Sequence, residues 1–166
     1  MTTSTTPVAP IALITGGSRG LGKSTALHVA AQGSDVILTY RSQAAEAQAV
    51  VAQIEALGRR AVALQLDVGV SASFADFAVQ VQKTLATTWQ RDRFDHLVNN
   101  AGIGSYASLM DTTEAQFDEL VNIHFKGVFF LTQKLLPLMA DGGRIINLSS
   151  ELTRFALPNY SAYASM

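Results

Sequence analysis

The sequence predicts an α/β fold, a doubly wound parallel sheet with helices on both faces in three α/β/α layers. Three observations carry that prediction. Short apolar runs alternate with stretches of helical periodicity, the pattern of parallel strands joined by covering helices. A glycine-rich loop separates the first apolar run from the first helical stretch, where the chain turns sharply from strand to helix. No internal repeat or second compositional block interrupts the series, so one domain is expected over residues 11–166, behind a disordered tail at 1–10. The expected strand order is 3-2-1-4-5, with a ligand crevice where the order reverses.

Ile11 to Thr15 reads as a short buried strand, and the glycines after it open a helix that Gly33 ends. Val36 to Tyr40 is the second strand. The next helix carries Ala47, Val50, Val51, Ile54 and Leu57 at steps of three and four and stops at Gly58. Ala61 to Leu66 is the third strand. Ser71 is the expected N-cap of a helix facing inward through Phe74, Phe77, Val81 and Leu85. Phe94 to Asn99 is the fourth strand. Asp111 and Glu114 have capping-box spacing and start a long helix with Phe117, Leu120, Val121, Val128, Leu131 and Leu135 on its apolar face. Pro137 should end that helix, and Gly142-Gly143 leads into a fifth strand from Arg144 to Leu148.

Composition narrows the function classes. Twelve basic against thirteen acidic residues leave a net charge of −1, which gives no broad attraction to nucleic acid or anionic lipid. The absence of cysteine excludes disulfides and thiolate metal sites. His28, His96 and His124 are scattered without metal-ligand spacing, so no metal is expected and all three read as structural or exposed. The opening residues have neither a basic start nor an apolar stretch, and no run approaches the roughly 18 residues of a membrane span. A cytoplasmic protein is the expectation.

Thr15-Gly16-Gly17-Ser18-Arg19-Gly20-Leu21-Gly22 has the spacing T-G-x-x-x-G-x-G between a strand and a helix. Glycines there let backbone N–H groups approach a pyrophosphate, and the helix N-terminus favours its charge. A rival overlaps it: Gly17 to Ser24 also fits G-x-x-x-x-G-K-S, the phosphate loop of nucleoside triphosphatases, with Asp67 as a magnesium-holding acid. The loop by itself therefore indicates only a phosphate-containing nucleotide.

Downstream motifs separate the two. Asn99-Asn100-Ala101-Gly102 ends the fourth strand, and Val121-Asn122-Ile123-His124-Phe125-Lys126-Gly127 lies in the long helix. Asn147-Leu148-Ser149-Ser150 follows the fifth strand, and Tyr163 stands thirteen residues after Ser150. With the glycine loop, these four motifs resemble the short-chain dehydrogenase/reductase family, nearest in flavour to its 3-oxoacyl-(acyl-carrier-protein) reductase-like branch. The resemblance implies a Rossmann-like fold, here without the family's C-terminal strands. It implies a reaction that reduces a small-molecule carbonyl to an alcohol or the reverse, with Tyr163 as acid/base and Ser150 orienting the carbonyl oxygen. Asn122 takes the family's place for a catalytic asparagine. Cofactor contacts are implied at Gly16, Ser18, Arg19, Gly20, Leu21 and Gly22 in the loop, and at Tyr40, Arg41, Asp67, Val68, Asn99, Ala101 and Gly102 beyond it. Ser149 and Tyr160 are neighbouring hydroxyls at the wrong separation. A homo-oligomer, dimer or tetramer, is expected for the complete form.

Cofactor choice can be read from residue chemistry. An NAD site commonly has an acid at the end of the second strand to bind the ribose 2′-OH. Here that strand runs Leu38-Thr39-Tyr40-Arg41-Ser42 with no acid, while Arg41 can meet a 2′-phosphate and the family resemblance implies the same role for Arg19 in the glycine loop. NADP is expected in preference to NAD. The family's lysine, four residues past its tyrosine, would fall one position beyond Met166. A free tyrosine titrates at a pKa of about 10, so the ammonium that would lower it matters for acid–base work. The alternative to an active reductase is therefore a catalytically inactive nucleotide-binding fragment, with an aggregation-prone edge at Ile145, Ile146 and Leu148. The triphosphatase is a distant third.

Overall fold

A computed structural model describes residues 8–166. Most of the expected tail, residues 1–7, lies outside the described residues. Ala9 and Pro10, which the sequence assigned to that tail, are held: the Pro10 carbonyl accepts from the Asp35 N–H at 2.8 Å and the Ala9 carbonyl from Arg91 at 3.3 Å.

Five parallel strands form one sheet in the order β3-β2-β1-β4-β5, as expected. They are β1 (Ile11–Ile14), β2 (Asp35–Tyr40), β3 (Ala61–Gln65), β4 (Phe94–Asn99) and β5 (Met139–Asn147). The helices are α1 (Gly20–Ala31), α2 (Ala44–Ala56), α3 (Phe74–Thr84), α4 (Glu114–Leu120), α5 (Val128–Leu135) and the short α6 (Ser161–Ala164). Side chains on a strand alternate between faces, and β1 distributes its four residues accordingly. Ile11 and Leu13 join Phe74, Phe77, Val81, Leu131 and Leu135 on one side of the sheet. Ala12 and Ile14 join Ala26, Ala30, Val50 and Ile54 on the other. Burial on both faces explains why the inner strands read as unbroken apolar runs.

Several local expectations are corrected. Ser71 begins a single tight turn, Ser71–Ser73, and does not cap α3. Its neighbour Ser73 bonds back to the Val70 carbonyl at 2.8 Å. The capping box of α4 is Thr113 with Gln116, not Asp111 with Glu114. Asp111 is spent on an upstream turn, where its N–H donates to the Ser108 hydroxyl at 3.1 Å. Leu57 and Phe117 are exposed, Leu57 as the residue that ends α2 and Phe117 in the first turn of α4. β5 begins five residues earlier than expected, at Met139, and a register irregularity opposite Phe94 to His96 absorbs Gly142-Gly143.

The long helix is real but not uniform. Between α4 and α5, Val121–Gly127 widens into a π-helical turn. Its last residue has to be glycine: a Cβ on Gly127 would lie 2.3 Å from the Val68 carbonyl oxygen, so this segment packs against the chain leaving β3. Such π turns alter which side chains face inward.

The N-terminal ends of the strands are tied by two acids. Asp35 accepts from the Arg60 N–H at 2.9 Å, the Arg59 guanidinium at 2.9 Å and the Trp89 indole at 2.7 Å. Burial opposes its charge, but these donors outweigh it and hold the carboxyl below the usual aspartate range. Asp95 is likewise pushed up by burial and brought down further by the Arg91 guanidinium and the Ile11 N–H.

Candidate functional site

The chain segments leaving the C-terminal ends of all five strands surround one cleft of about 620 Å³. β1 and β4 flank the point where strand order reverses, which is where such sheets bind ligands. The loop after β1 is shaped by backbone packing. Buried Thr15 offers its hydroxyl oxygen to the N–H groups of Asn100 at 3.0 Å and Ala101 at 2.9 Å. The Asn100 amide donates to the carbonyls of Thr15 at 2.8 Å and Gly16 at 3.2 Å, and the Gly16 N–H donates to Thr39 Oγ1 at 3.1 Å. A Cβ on Gly22 would sit 2.2 Å from the Gly16 oxygen and 2.4 Å from Asn100 Nδ2, so α1 can lie this close only with glycine there. Gly20 has φ +56° and nothing within 4 Å of an added Cβ, leaving its face open to the cleft. Asn100, absent from the candidate contacts, proves to be the clamp on this loop.

Most of the expected cofactor contacts come together here: Gly16, Ser18, Arg19, Gly20, Leu21, Gly22, Tyr40, Arg41, Asp67, Val68, Ala101 and Gly102 all line the cleft. The first turn of α1 carries no acid, which suits an anion at its N-terminus. The three ion pairs among the described residues use Arg59, Arg60 and Arg91, leaving the guanidiniums of Arg19 and Arg41 without a carboxylate partner. Asp67 accepts from the Gly69 N–H at 2.9 Å, so it forms a strand-end turn while lining the cleft.

Asn99 stands apart from these residues. It is 5% exposed, does not line the cleft, and uses its amide to join Thr132 at 3.1 Å and Asn147 at 2.8 Å. Its work is to bind β4 to β5 and α5, because a strand residue adjacent to one that faces the crevice points to the other side of the sheet. The triphosphatase reading loses its key residues in the same way. Lys23 and Ser24 lie outside the cleft lining, and the Ser24 carbonyl is taken by His28 at 2.7 Å.

At the other end of the cleft stand Ser150 and Tyr163. Ser150 caps the turn Glu151–Thr153, its Oγ accepting from the Leu152 N–H at 3.2 Å. That bond occupies a lone pair and leaves the hydroxyl hydrogen to donate into the cleft. Ser149 also lines the cleft, whereas Tyr160 does not. Tyr163 sits on α6 and meets the His124 ring edge-to-face, centroids 5.6 Å apart.

Asn122 is the residue expected at the reacting end. It opens onto a separate shallow depression beside Asp118 and Glu119, while His124 lines the main cleft. Residues two apart on a helix do not share a face, so only one of the pair can reach Tyr163. His124 was read as merely structural or exposed. No sequence period flags it, since the π turn displaces the helical phase at this point. Among the described residues no cluster suited to a metal ion occurs, and no helix is long and apolar enough to cross a membrane.

The short chain dehydrogenase family model matches residues 10–166. An uncharacterized oxidoreductase of Methylorubrum extorquens is 35% identical over 155 residues, covering 93% of this chain and 60% of the relative. A 3-oxoacyl-[acyl-carrier-protein] reductase of Synechocystis is 36% identical over 160 residues, covering 95% of this chain and 62% of the relative. Among solved structures, the angucycline C-6 ketoreductase LanV with bound NADP superposes with a TM-score of 0.91 at 34% identity, over 95% of this chain and 62% of that one. A short chain dehydrogenase from Burkholderia cenocepacia in complex with NADP gives a TM-score of 0.86 at 39% identity, over 96% and 64%. The chain thus spans about six-tenths of the length of the relatives it matches.

Proposed function

The chain belongs to the short chain dehydrogenase family, and from that membership we propose that the protein is an NADP(H)-dependent oxidoreductase interconverting a small-molecule carbonyl and its alcohol. One observation carries the reading: a single cleft is lined both by the glycine loop with two unpartnered arginines and by the hydroxyls of Ser150 and Tyr163.

The residues present fit a phosphorylated dinucleotide. The open face at Gly20 and the N-terminus of α1 would hold the pyrophosphate. Arg19 and Arg41 would flank the 2′-phosphate, a charge-assisted contact that NAD cannot make. Tyr40, Asp67 and Val68 would border the adenine end, with Ala101 and Gly102 between the two halves of the cofactor. When bound, the nicotinamide supplies or accepts the hydride. The chain's own hydroxyls serve the oxygen atom. Ser150 donates a hydrogen bond that holds the carbonyl oxygen, and Tyr163 gives its phenolic proton to the alkoxide as it develops, or receives it in the oxidative direction. Homo-oligomeric assembly belongs to the same proposal and is supported by exposed Phe125 and Phe129 on the helical face.

The test is binding and turnover in the full-length protein. NADPH should bind roughly tenfold or more tightly than NADH, and Arg41→Asp should flatten or reverse that ratio, in the range of one charge-assisted bond. Equal dissociation constants in the unmutated protein would refute the cofactor assignment. NADPH oxidation across a panel of ketones and diketones separates an oxidoreductase from a chain that only binds nucleotide.

A further inference from the structure

We propose that His124, and not Asn122, is the residue of the helical segment between β4 and β5 that serves the reacting end, acting as the positioning residue for Tyr163. The inference rests on the oxidoreductase reading above and adds a part to its machinery.

Three contacts support it. First, the imidazole meets the Tyr163 ring at an interplanar angle of 89°, with centroids 5.6 Å apart. Second, its Nε2 lies 2.8 Å from the Ile103 carbonyl oxygen and 3.2 Å from the Ile103 nitrogen. A carbonyl only accepts and an N–H only donates, so one of these is a hydrogen bond whichever ring nitrogen carries the proton. The ring is therefore held by the same backbone residue in either neutral tautomer, a tolerance that few histidine anchors have. Third, the loop makes room for it: a Cβ on Gly102 would stand 2.7 Å from His124 Cε1, so a larger residue there would displace the ring.

Among the described residues the Tyr163 phenol makes no side-chain hydrogen bond, so its ring contacts are what orient it. Its other aromatic neighbour, Tyr160, precedes it by three residues and packs edge-to-face on Tyr106 in the segment after β4. Ile103 and His124 supply a second tie from that segment, one that meets the Tyr163 ring directly. Asn122 opens onto the depression beside Asp118.

The experiment uses the full-length protein and steady-state NADPH-dependent carbonyl reduction. His124→Phe keeps an aromatic edge but loses the Ile103 anchor. It should lower kcat on the order of ten- to a hundredfold while leaving the NADPH dissociation constant unchanged, the signature of a misplaced acid. His124→Gln, whose amide can both donate to and accept from Ile103, should recover part of that loss. The loss in His124→Phe should exceed that in Asn122→Ala. Unchanged kcat in His124→Phe, or a larger loss in Asn122→Ala, would overturn the proposal. A readout independent of turnover is aromatic NMR, with the Tyr163 ring signals assigned by their disappearance in Tyr163→Phe. His124→Ala should shift them by removing the imidazole ring current; unmoved signals would sink the contact itself. Should the unmutated protein reduce no carbonyl at all, the oxidoreductase reading fails separately, and the NMR result still decides whether His124 positions Tyr163.

Discussion

β1 and β5 stand two places apart in one parallel sheet, yet their environments differ sharply. Every residue of Ile11–Ile14 is buried, whereas Ile145, Ile146 and Leu148 are 41%, 51% and 41% exposed. The glycine loop that follows β1 is locked by long-range bonds from Thr39 and Asn100, and its closest approaches are backbone against backbone. The segment after β5 mixes short-range bonds, as in the Ser150 turn, whose hydroxyl and carbonyl are both used within three residues, with long-range ones, as from the Leu148 N–H to the Asn99 carbonyl and from Asn159 to Tyr106. The glycine loop is shaped by close main-chain packing and cannot be altered there without disturbing the fold. Ser150 and Tyr163 present side-chain hydroxyls to the cleft, and these can be changed with less disturbance.

The sharpest test of that contrast is at the reacting end. Tyr163→Phe should lower turnover by on the order of a hundred- to ten-thousandfold in the full-length protein, with thermal midpoint and NADPH affinity nearly unchanged. Ser150→Ala should act in the same direction but retain more rate, since it removes one orienting donor. Normal turnover in Tyr163→Phe would show that another group is the acid and would break the comparison at its stronger side.

At the opposite end, Gly22→Ala should lose stability and binding together. The added methyl has no space beside the Gly16 oxygen, and overpacking of this kind costs about 1–3 kcal/mol. Gly20→Ala meets no atom and bears only the strain of its positive φ, roughly 1 kcal/mol. Denaturant melts and NADPH titration of the pair would check the order, and a Gly22→Ala protein as stable as the parent would remove the claim that main-chain packing shapes the loop.

The smallest effect is expected in the acid limb of stability. Asp35 has a lowered pKa in the fold despite its burial, because the Arg60 N–H, the Trp89 indole and Arg59 favour its charge. Its contribution is therefore present above the unfolded value of about 3.9 and is lost as pH falls through the lower folded value. Asp35→Asn should flatten the fall in melting temperature below about pH 4. An acid limb unchanged in the variant would show that Asp95 or other carboxylates govern it.

Much of this was legible in the residues. Strand order and the glycine loop follow from apolar runs and spacing, because parallel strands and phosphate loops have few sequence solutions, while the Ser150–Tyr163 pair follows from resemblance to the family. Helix caps were less legible. Asp111 competes with Thr113 for the same role, and only the prior engagement of Asp111 with Ser108 decides between them. The start of β5 was hidden because its glycines resemble a turn, and the irregularity opposite Phe94 that accommodates them is a property of pairing.

By itself the sequence determined the fold class and the strand–glycine-loop–helix unit, since both depend on contacts local in the chain or on burial that leaves an apolar signature; Ser150 and Tyr163 were singled out by resemblance to the family. Tertiary structure decided which of Asn122 and His124 looks into the cleft, that Asn99 serves the sheet, and that Lys23 stays out of the loop's open face. Those outcomes depend on a π turn pressed against Val68, on the side of a strand an amide takes, and on the rotation of α1 over the sheet. Each is set by the packing of segments far apart in the chain, which no local period records.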